Sequence, residues 1–128
     1  RKTLGRREQK MLRSHLFGSE KTSTCTICGR KMPVQLLVAA HIKKRSECTR
    51  AKKLDYKHNV APMCKLGCDD LFEKGFLVVN EGTVEQGPVE PSTKAVRQYV
   101  DKVSGRECDY WDTESRPYFE YHREKSSG

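Results

Sequence analysis

The sequence predicts a small α+β domain in which a cross-link between distant segments supplements a modest core. Three observations predict it. Short apolar runs of strand length alternate with segments of helical periodicity, only 35% of the 128 residues are hydrophobic, and six residues are cysteines. Domains with few buried side chains often depend on disulfides or a metal ion for stability. We therefore expect a single domain over residues 1–128.

Four of the cysteines form two closely spaced pairs. Cys25 and Cys28 are separated by two residues, and Cys64 and Cys68 by three. Thiolates two to four residues apart on a turn can bind one tetrahedral zinc ion at about 2.3 Å each. A disulfide framework fits less well, because the cysteines are widely spread and the N-terminal segment lacks the apolar stretch of an export signal. The pairs predict a structural Zn²⁺ site.

Periodicity and turn residues assign the elements in chain order. The expected elements are a helix over about 5–17, a strand over 35–40 with His41 at its end, a basic loop over 43–57, a strand over 58–63, a helix over 69–74, a hairpin over 76–85, and a helical and aromatic extension over about 94–122. Pro62 lacks an amide hydrogen, so the second strand is expected at a sheet edge. His122 is interpreted as a peripheral residue of the extension, whose aromatic residues are assigned a packing role.

The two parts of the chain differ in charge. Residues 1–57 contain 16 Lys and Arg against 4 Asp and Glu, whereas residues 58–128 contain 9 against 13. A basic segment of this kind is typical of proteins that contact nucleic-acid phosphates, although charged runs are often only solvated loops. The candidate DNA-binding residues all lie in the basic loop: Lys43, Lys44, Arg45, Arg50, Lys52, Lys53 and Lys57.

Several motifs occur together in an order that is typical of one nuclease family. The cysteine pairs (CTIC at 25–28 and CKLGC at 64–68) enclose AAHI at 39–42 and HNVAPMC at 58–64. This order resembles the HNH endonucleases. REQKMLRSHL and DDLFEKGFLVV extend the resemblance over about 6–79, to HNH domains of predicted and modification-dependent restriction endonucleases. The resemblance implies a zinc-stapled ββα-metal core over about 25–79, with flanking helices.

The resemblance also implies a function, which is metal-dependent hydrolysis of phosphodiester bonds in double-stranded DNA by a restriction-type enzyme. Such hydrolysis needs an activated water and a cation on the phosphate oxygens. By resemblance, His41 is the general base and Asn59 orients it. A core histidine and a turn-forming asparagine are the structural alternatives.

The expected catalytic cation site departs from the commonest family pattern. Ala40 stands where a ligand usually precedes the general base, and Asp69 where a histidine usually follows the last cysteine. Asp69 and Glu73 are four residues apart, so their carboxylates share one helix face and suit Mg²⁺ or Mn²⁺. His41 is the third candidate ligand, and Asp69 counts among the catalytic residues. A solvated acidic helix start is the alternative.

Two other classes of function remain open. One is a catalytically inactive, zinc-stabilised DNA-binding module, which Ala40 and Asp69 motivate, and the other is a zinc-dependent protein-interaction domain. No apolar run approaches the roughly 18–20 residues that a membrane span needs. We expect no membrane contact, a cytoplasmic or nucleoid-associated location without secretion, and specificity from a separate DNA-recognition domain or a homodimer partner.

Overall fold

The structure, a computed structural model, describes residues 2–127 of the chain, with side chains from Arg7 onward. Arg1 and Gly128, the ends of the expected domain, lie outside the described residues. The fold is α+β, as predicted. In chain order, its elements are α1 (Lys2–Phe17), β1 (Thr22–Thr24), β2 (Lys31–Pro33), a 3₁₀ turn (Val34–Leu36), β3 (Leu37–His41), a second 3₁₀ turn (Arg45–Glu47), α2 (Arg50–Leu54), α3 (Tyr56–Asn59), β4 (Val60–Cys64), α4 (Cys68–Glu73), β5 (Leu77–Asn80), β6 (Thr83–Gln86), α5 (Lys94–Val103) and α6 (Arg116–Ser127).

The strands form antiparallel pairs, β1 with β2, β3 with β4, and β5 with β6. In the central pair, His41 lies opposite Val60 and Ala39 opposite Pro62. Each strand of a two-stranded sheet is an edge, so a proline without an amide hydrogen is tolerated there. The Pro62 carbonyl accepts a hydrogen bond from the Thr26 amide at 2.8 Å, which joins the first cysteine pair to the central strands.

One hydrophobic core connects the central strands with both ends of the chain. Phe72 of α4 packs against the ring of Phe119 of α6 in an edge-to-face arrangement, with ring centroids 6.3 Å apart. Thr93 caps α5 by accepting a hydrogen bond from the Val96 amide at 3.3 Å. The buried core includes Phe17, Ile27, Leu37, Met63, Phe72, Leu77, Val79, Val84, Val100, Val103, Tyr118 and Phe119. The C-terminal helices therefore complete the same core to which β3, β4 and α4 belong.

Several elements differ from the sequence-based prediction. The expected basic loop over 43–57 contains a 3₁₀ turn, α2 and α3. Thr49 caps α2 by accepting a hydrogen bond from the Lys52 amide at 3.3 Å. Strand β4 begins only at Val60, because the two residues before it end α3. Helix α1 begins at Lys2 rather than at about residue 5, and α6 continues to Ser127 rather than ending near 122.

Among the helices of residues 2–127, none has both the length and the apolar character to cross a bilayer.

Candidate functional site

The four cysteines of the two pairs converge on one point. Cys25 and Cys28 lie in the turn between β1 and β2, Cys64 ends β4, and Cys68 begins α4. All four are buried, and their sulfur atoms lie within 4.8 Å of one another. Thiolates are the ligands of closed, four-coordinate zinc sites. The cluster can therefore hold a structural metal ion such as zinc, with the predicted ligands.

Hydrogen-bond donors surround this cysteine site. Gly29 follows Cys28 with a φ of 72°, a conformation that glycine adopts without steric cost. Arg30 Nε donates to Cys28 Sγ at 3.4 Å, and Tyr99 Oη lies 2.9 Å from Cys68 Sγ. Burial alone would raise the pKa of Cys28, but the hydrogen bond from Arg30 holds that pKa below its ordinary value. Donors of this kind stabilise thiolates, which is the form that binds zinc.

A second site lies in a cavity of about 570 Å³ between β3 and α4. The described residues that line it include His41 from the end of β3 and both Asp69 and Glu73 from α4. Ala40 also lines the cavity and contributes no ligand atom. Three of the four residues predicted for catalysis and cation binding, His41, Asp69 and Glu73, therefore share one cavity, whereas the fourth, Asn59, does not line it.

Asn59 holds the backbone next to His41. Its Oδ1 accepts a hydrogen bond from the Lys43 amide at 2.7 Å, and its Nδ2 donates to the Lys43 carbonyl at 3.1 Å. The amide of Ile42 also donates to the Asn59 carbonyl at 2.9 Å. Asn59 is only 1% exposed, so these bonds form away from water. The side chain of Asn59 therefore fixes the turn that follows His41, and its hydrogen bonds go to the backbone of Lys43 and not to the imidazole.

Burial affects the protonation of His41. The half-buried position lowers the pKa of His41, and the nearby charge of Arg45 acts in the same direction, while Glu8 opposes both. A lowered pKa favours the neutral imidazole at physiological pH. Neutral imidazole is the form that can accept a proton from water.

The acidic residues of α4 concentrate negative charge at the cavity. Burial, Glu73 and Asp70 together raise the pKa of Asp69 above its ordinary value. One carboxylate oxygen from each of these three residues lies within 4.8 Å of the others. Asp70 also lies close to Asp69 and Glu73, but it is exposed and pairs with Lys74 at 3.6 Å. Oxygen donors in a crowded negative site suit a hard divalent cation.

No family model and no curated protein matches the chain. The chemistry of the two sites therefore carries the functional argument.

The candidate DNA-binding residues differ in exposure. Lys44, Arg45, Arg50, Lys53 and Lys57 are exposed, and Lys52 is half-buried. Lys44 and Arg45 also line the cavity. Lys43 was predicted to contact phosphate, but its side chain is buried in the protein. It is only 7% exposed, and its Nζ lies 3.9 Å from the centroid of the Tyr121 ring.

His122, which was not predicted as a site residue, lines the same cavity as His41. It was expected at the periphery but is only 8% exposed. Its Nε2 lies 2.6 Å from the Phe72 carbonyl oxygen. A signal was available, because His122 follows the buried Tyr118 by four residues and Phe119 by three, which places it on the same face of a helix.

Proposed function

We propose that this chain is an HNH-type nuclease domain that hydrolyses DNA phosphodiester bonds with a divalent cation, in an enzyme of the restriction type. One observation carries the proposal. A half-buried histidine with a lowered pKa shares a cavity with the crowded carboxylates of Asp69 and Glu73. A base for water and a cation site are the two components that metal-assisted phosphodiester hydrolysis requires.

The order of the elements around the cavity supports the same proposal. The antiparallel pair β3–β4 is followed directly by α4, which is the order of a ββα-metal nuclease core. The cysteine site ties the end of β4 and the start of α4 to the turn between β1 and β2. A zinc ion there would hold α4 against the strands, and would therefore hold Asp69 and Glu73 opposite His41.

In the proposed mechanism, His41 removes a proton from the attacking water. Its neutral form is already favoured by burial, and Asn59 prevents the backbone after it from moving. Lys44 and Arg45 at the cavity attract the scissile phosphate. Asp69 and Glu73 would hold Mg²⁺ or Mn²⁺, which polarises phosphate oxygens and stabilises charge on the leaving oxygen when bound. Arg45 also forms an ion pair with Glu8 of α1 at 2.6 Å, which keeps its guanidinium near the cavity.

Nicking of supercoiled plasmid tests the cation site. The zinc-loaded protein should nick modified or unmodified plasmid when Mg²⁺ or Mn²⁺ is added. The substitution Asp69→Asn should reduce nicking strongly, and higher Mn²⁺ should restore part of it, because one of few oxygen ligands is weakened while the base is intact. Asp109→Asn is the matched control, since Asp109 is exposed and does not line the cavity.

The same experiment separates the proposal from its alternatives. Salt-sensitive DNA binding without nicking under Mg²⁺, Mn²⁺, Co²⁺ or Ni²⁺ would identify an inactive DNA-binding module. The absence of both DNA binding and nicking would leave the zinc-dependent protein-interaction domain.

A further inference from the structure

His122 carries a buried ring nitrogen with no recorded hydrogen-bond partner. Among the described residues, Nδ1 of His122 is a buried side-chain polar atom that makes no hydrogen bond. A buried polar atom without a partner is destabilising and usually indicates a bound water, an ion or a functional role. The other ring nitrogen, Nε2, is occupied by the Phe72 carbonyl.

The contact with Phe72 determines which nitrogen carries the proton. A carbonyl oxygen only accepts, so Nε2 must donate its N–H, and Nδ1 of the neutral ring is left with a lone pair. The imidazole is also stacked on the Phe72 ring, with centroids 3.6 Å apart and an interplanar angle of 7°. Burial lowers the pKa of His122 to about 4, so the ring is neutral near pH 7. The ring is therefore held in one orientation with one fixed tautomer.

His122 lies near the acidic residues of α4. The residue lines the cavity that also contains Asp69 and Glu73, and its partner Phe72 lies between these two acidic residues in α4. Histidines that serve metal sites almost always donate their second ring N–H to a backbone carbonyl, a carboxylate or water. The contact between His122 and Phe72 has this form.

We propose that His122 is a further side chain of the divalent-cation site, and that its Nδ1 accepts a hydrogen bond from a water bound to the cation. The inference rests on the cation site of the proposed function. It adds a residue from α6, which is outside the part of the chain that resembles the nuclease family. It also places a nitrogen acceptor beside a cation site to which Ala40 contributes no ligand atom.

Cation affinity tests this proposal without reference to DNA cleavage. Mn²⁺ is titrated by calorimetry into the zinc-loaded protein and into the variant His122→Phe, which retains an aromatic ring against Phe72 but has no ring nitrogen. We expect the variant to bind Mn²⁺ about tenfold more weakly, as is typical when a group that supports a metal site is lost. Tyr118→Phe is the matched control, because it removes a 2.7 Å hydrogen bond from α6 to Asp55 outside the cavity.

A second measurement needs no variant and applies even if His122→Phe folds poorly. In nitrogen-15 NMR spectra of the parent protein, His122 should appear as the Nε2–H tautomer, and its Nδ1 signal should shift when Mg²⁺ is added. A histidine with only a packing role would show the tautomer but no such shift.

The outcomes distinguish this inference from the proposed function. If Asp69→Asn weakens Mn²⁺ binding while His122→Phe does not, and the Nδ1 signal does not move, the role of His122 is refuted and the nuclease proposal stands. If His122→Phe weakens Mn²⁺ binding but the parent nicks no DNA, the inference stands and the nuclease proposal fails. A parent protein that binds no Mn²⁺ would overturn the role of His122.

Discussion

At the residue scale, Asn59 shows how one buried amide can fix the geometry of a site. Both of its polar atoms bond to the backbone of Lys43, two residues after His41. Asn59→Ala leaves the amide and the carbonyl of Lys43 without these partners in a buried position. We expect a loss of about 1–3 kcal/mol in the free energy of unfolding, measured by urea denaturation. The nicking rate should fall further than the folded fraction explains, because His41 loses its fixed position.

Asn80 provides a matched control for this substitution. It is half-buried, and its Oδ1 accepts a hydrogen bond from Arg123 in another part of the fold. Asn80→Ala should reduce stability without a specific effect on nicking. Equal effects of the two substitutions on nicking would show that Asn59 contributes only to stability.

The buried imidazole of His122 should make stability depend on pH. Its pKa is about 4 in the folded protein, against an ordinary value of 6.5. As the pH falls, the unfolded chain therefore binds the proton before the folded protein does. The contribution of the neutral His122 to the free energy of unfolding is thus complete above pH 6.5 and decreases as the pH falls towards 4. The loss is at most about 3 kcal/mol. In urea denaturation without added Mg²⁺ or Mn²⁺, the free energy of unfolding should decrease more steeply with falling pH for the parent than for His122→Phe. Parallel pH dependences of the two proteins would contradict the prediction.

Most of the site residues predicted from the sequence share short spacings or a place at a strand end, whereas Asn59 and the role of His41 were implied by the resemblance to the HNH family. The cysteine pairs and the acidic pair of α4 are defined within five residues, and His41 ends an apolar run. The burial of Lys43 and His122 could not be predicted locally, because it depends on α6, which packs against segments far from it in the sequence. Lys43 is covered by Tyr121, and His122 by Phe72. Contacts over such separations leave no local pattern in the chain.

At the element scale, α5 contributes a tyrosine hydroxyl that contacts the cysteine site. Tyr99 of α5 lies 2.9 Å from Cys68 Sγ, and its hydroxyl also accepts a hydrogen bond from Arg30 at 3.1 Å. Tyr99→Phe removes the only polar group that α5 contributes among these contacts. We expect about tenfold weaker zinc binding and faster zinc transfer to a chromogenic chelator, because a donor to the thiolate is lost. Tyr110→Phe, at another half-buried tyrosine, should leave zinc transfer unchanged, and equal rates for Tyr99→Phe and the parent would contradict the prediction.

The basic segment shows why some elements were not predicted. Helices α2 and α3 have five and four residues, which is too short for an apolar periodicity to be recognised. Thr49 caps α2, and Asp55, which lies between α2 and α3, accepts a hydrogen bond from Tyr118 of α6 at 2.7 Å. The strands β3 and β4 were recognised because apolar, strand-forming residues distinguish them from their surroundings, although the boundary at Val60 was missed.

At the scale of the whole molecule, the charge difference along the chain predicts how DNA binding depends on salt. The exposed cations Arg50, Lys53 and Lys57 should contact phosphates, and each contact contributes about 0.9 to the slope of log affinity against log salt. Reversing all three to Glu should weaken binding and reduce this slope by about 2–3. The measurement is a fluorescence titration of duplex DNA at several salt concentrations.

The control for charge reversal carries the same change in net charge at exposed positions of other segments, Lys21→Glu, Lys94→Glu and Lys102→Glu. It should reduce affinity much less and leave the slope nearly unchanged. If both triple variants lose the same affinity, the basic segment acts only through net charge and is not the DNA-binding surface.

The central claim is that His41 is the base of a cation-dependent nuclease, and the rate of plasmid nicking by His41→Ala tests it most directly. A general base contributes about 10²–10⁴ in rate and little to ground-state binding. The variant should therefore lose at least about 100-fold in nicking under saturating Mn²⁺ while zinc content, unfolding midpoint and DNA affinity stay close to the parent values. A His41→Ala protein that nicks plasmid as fast as the parent would contradict the account.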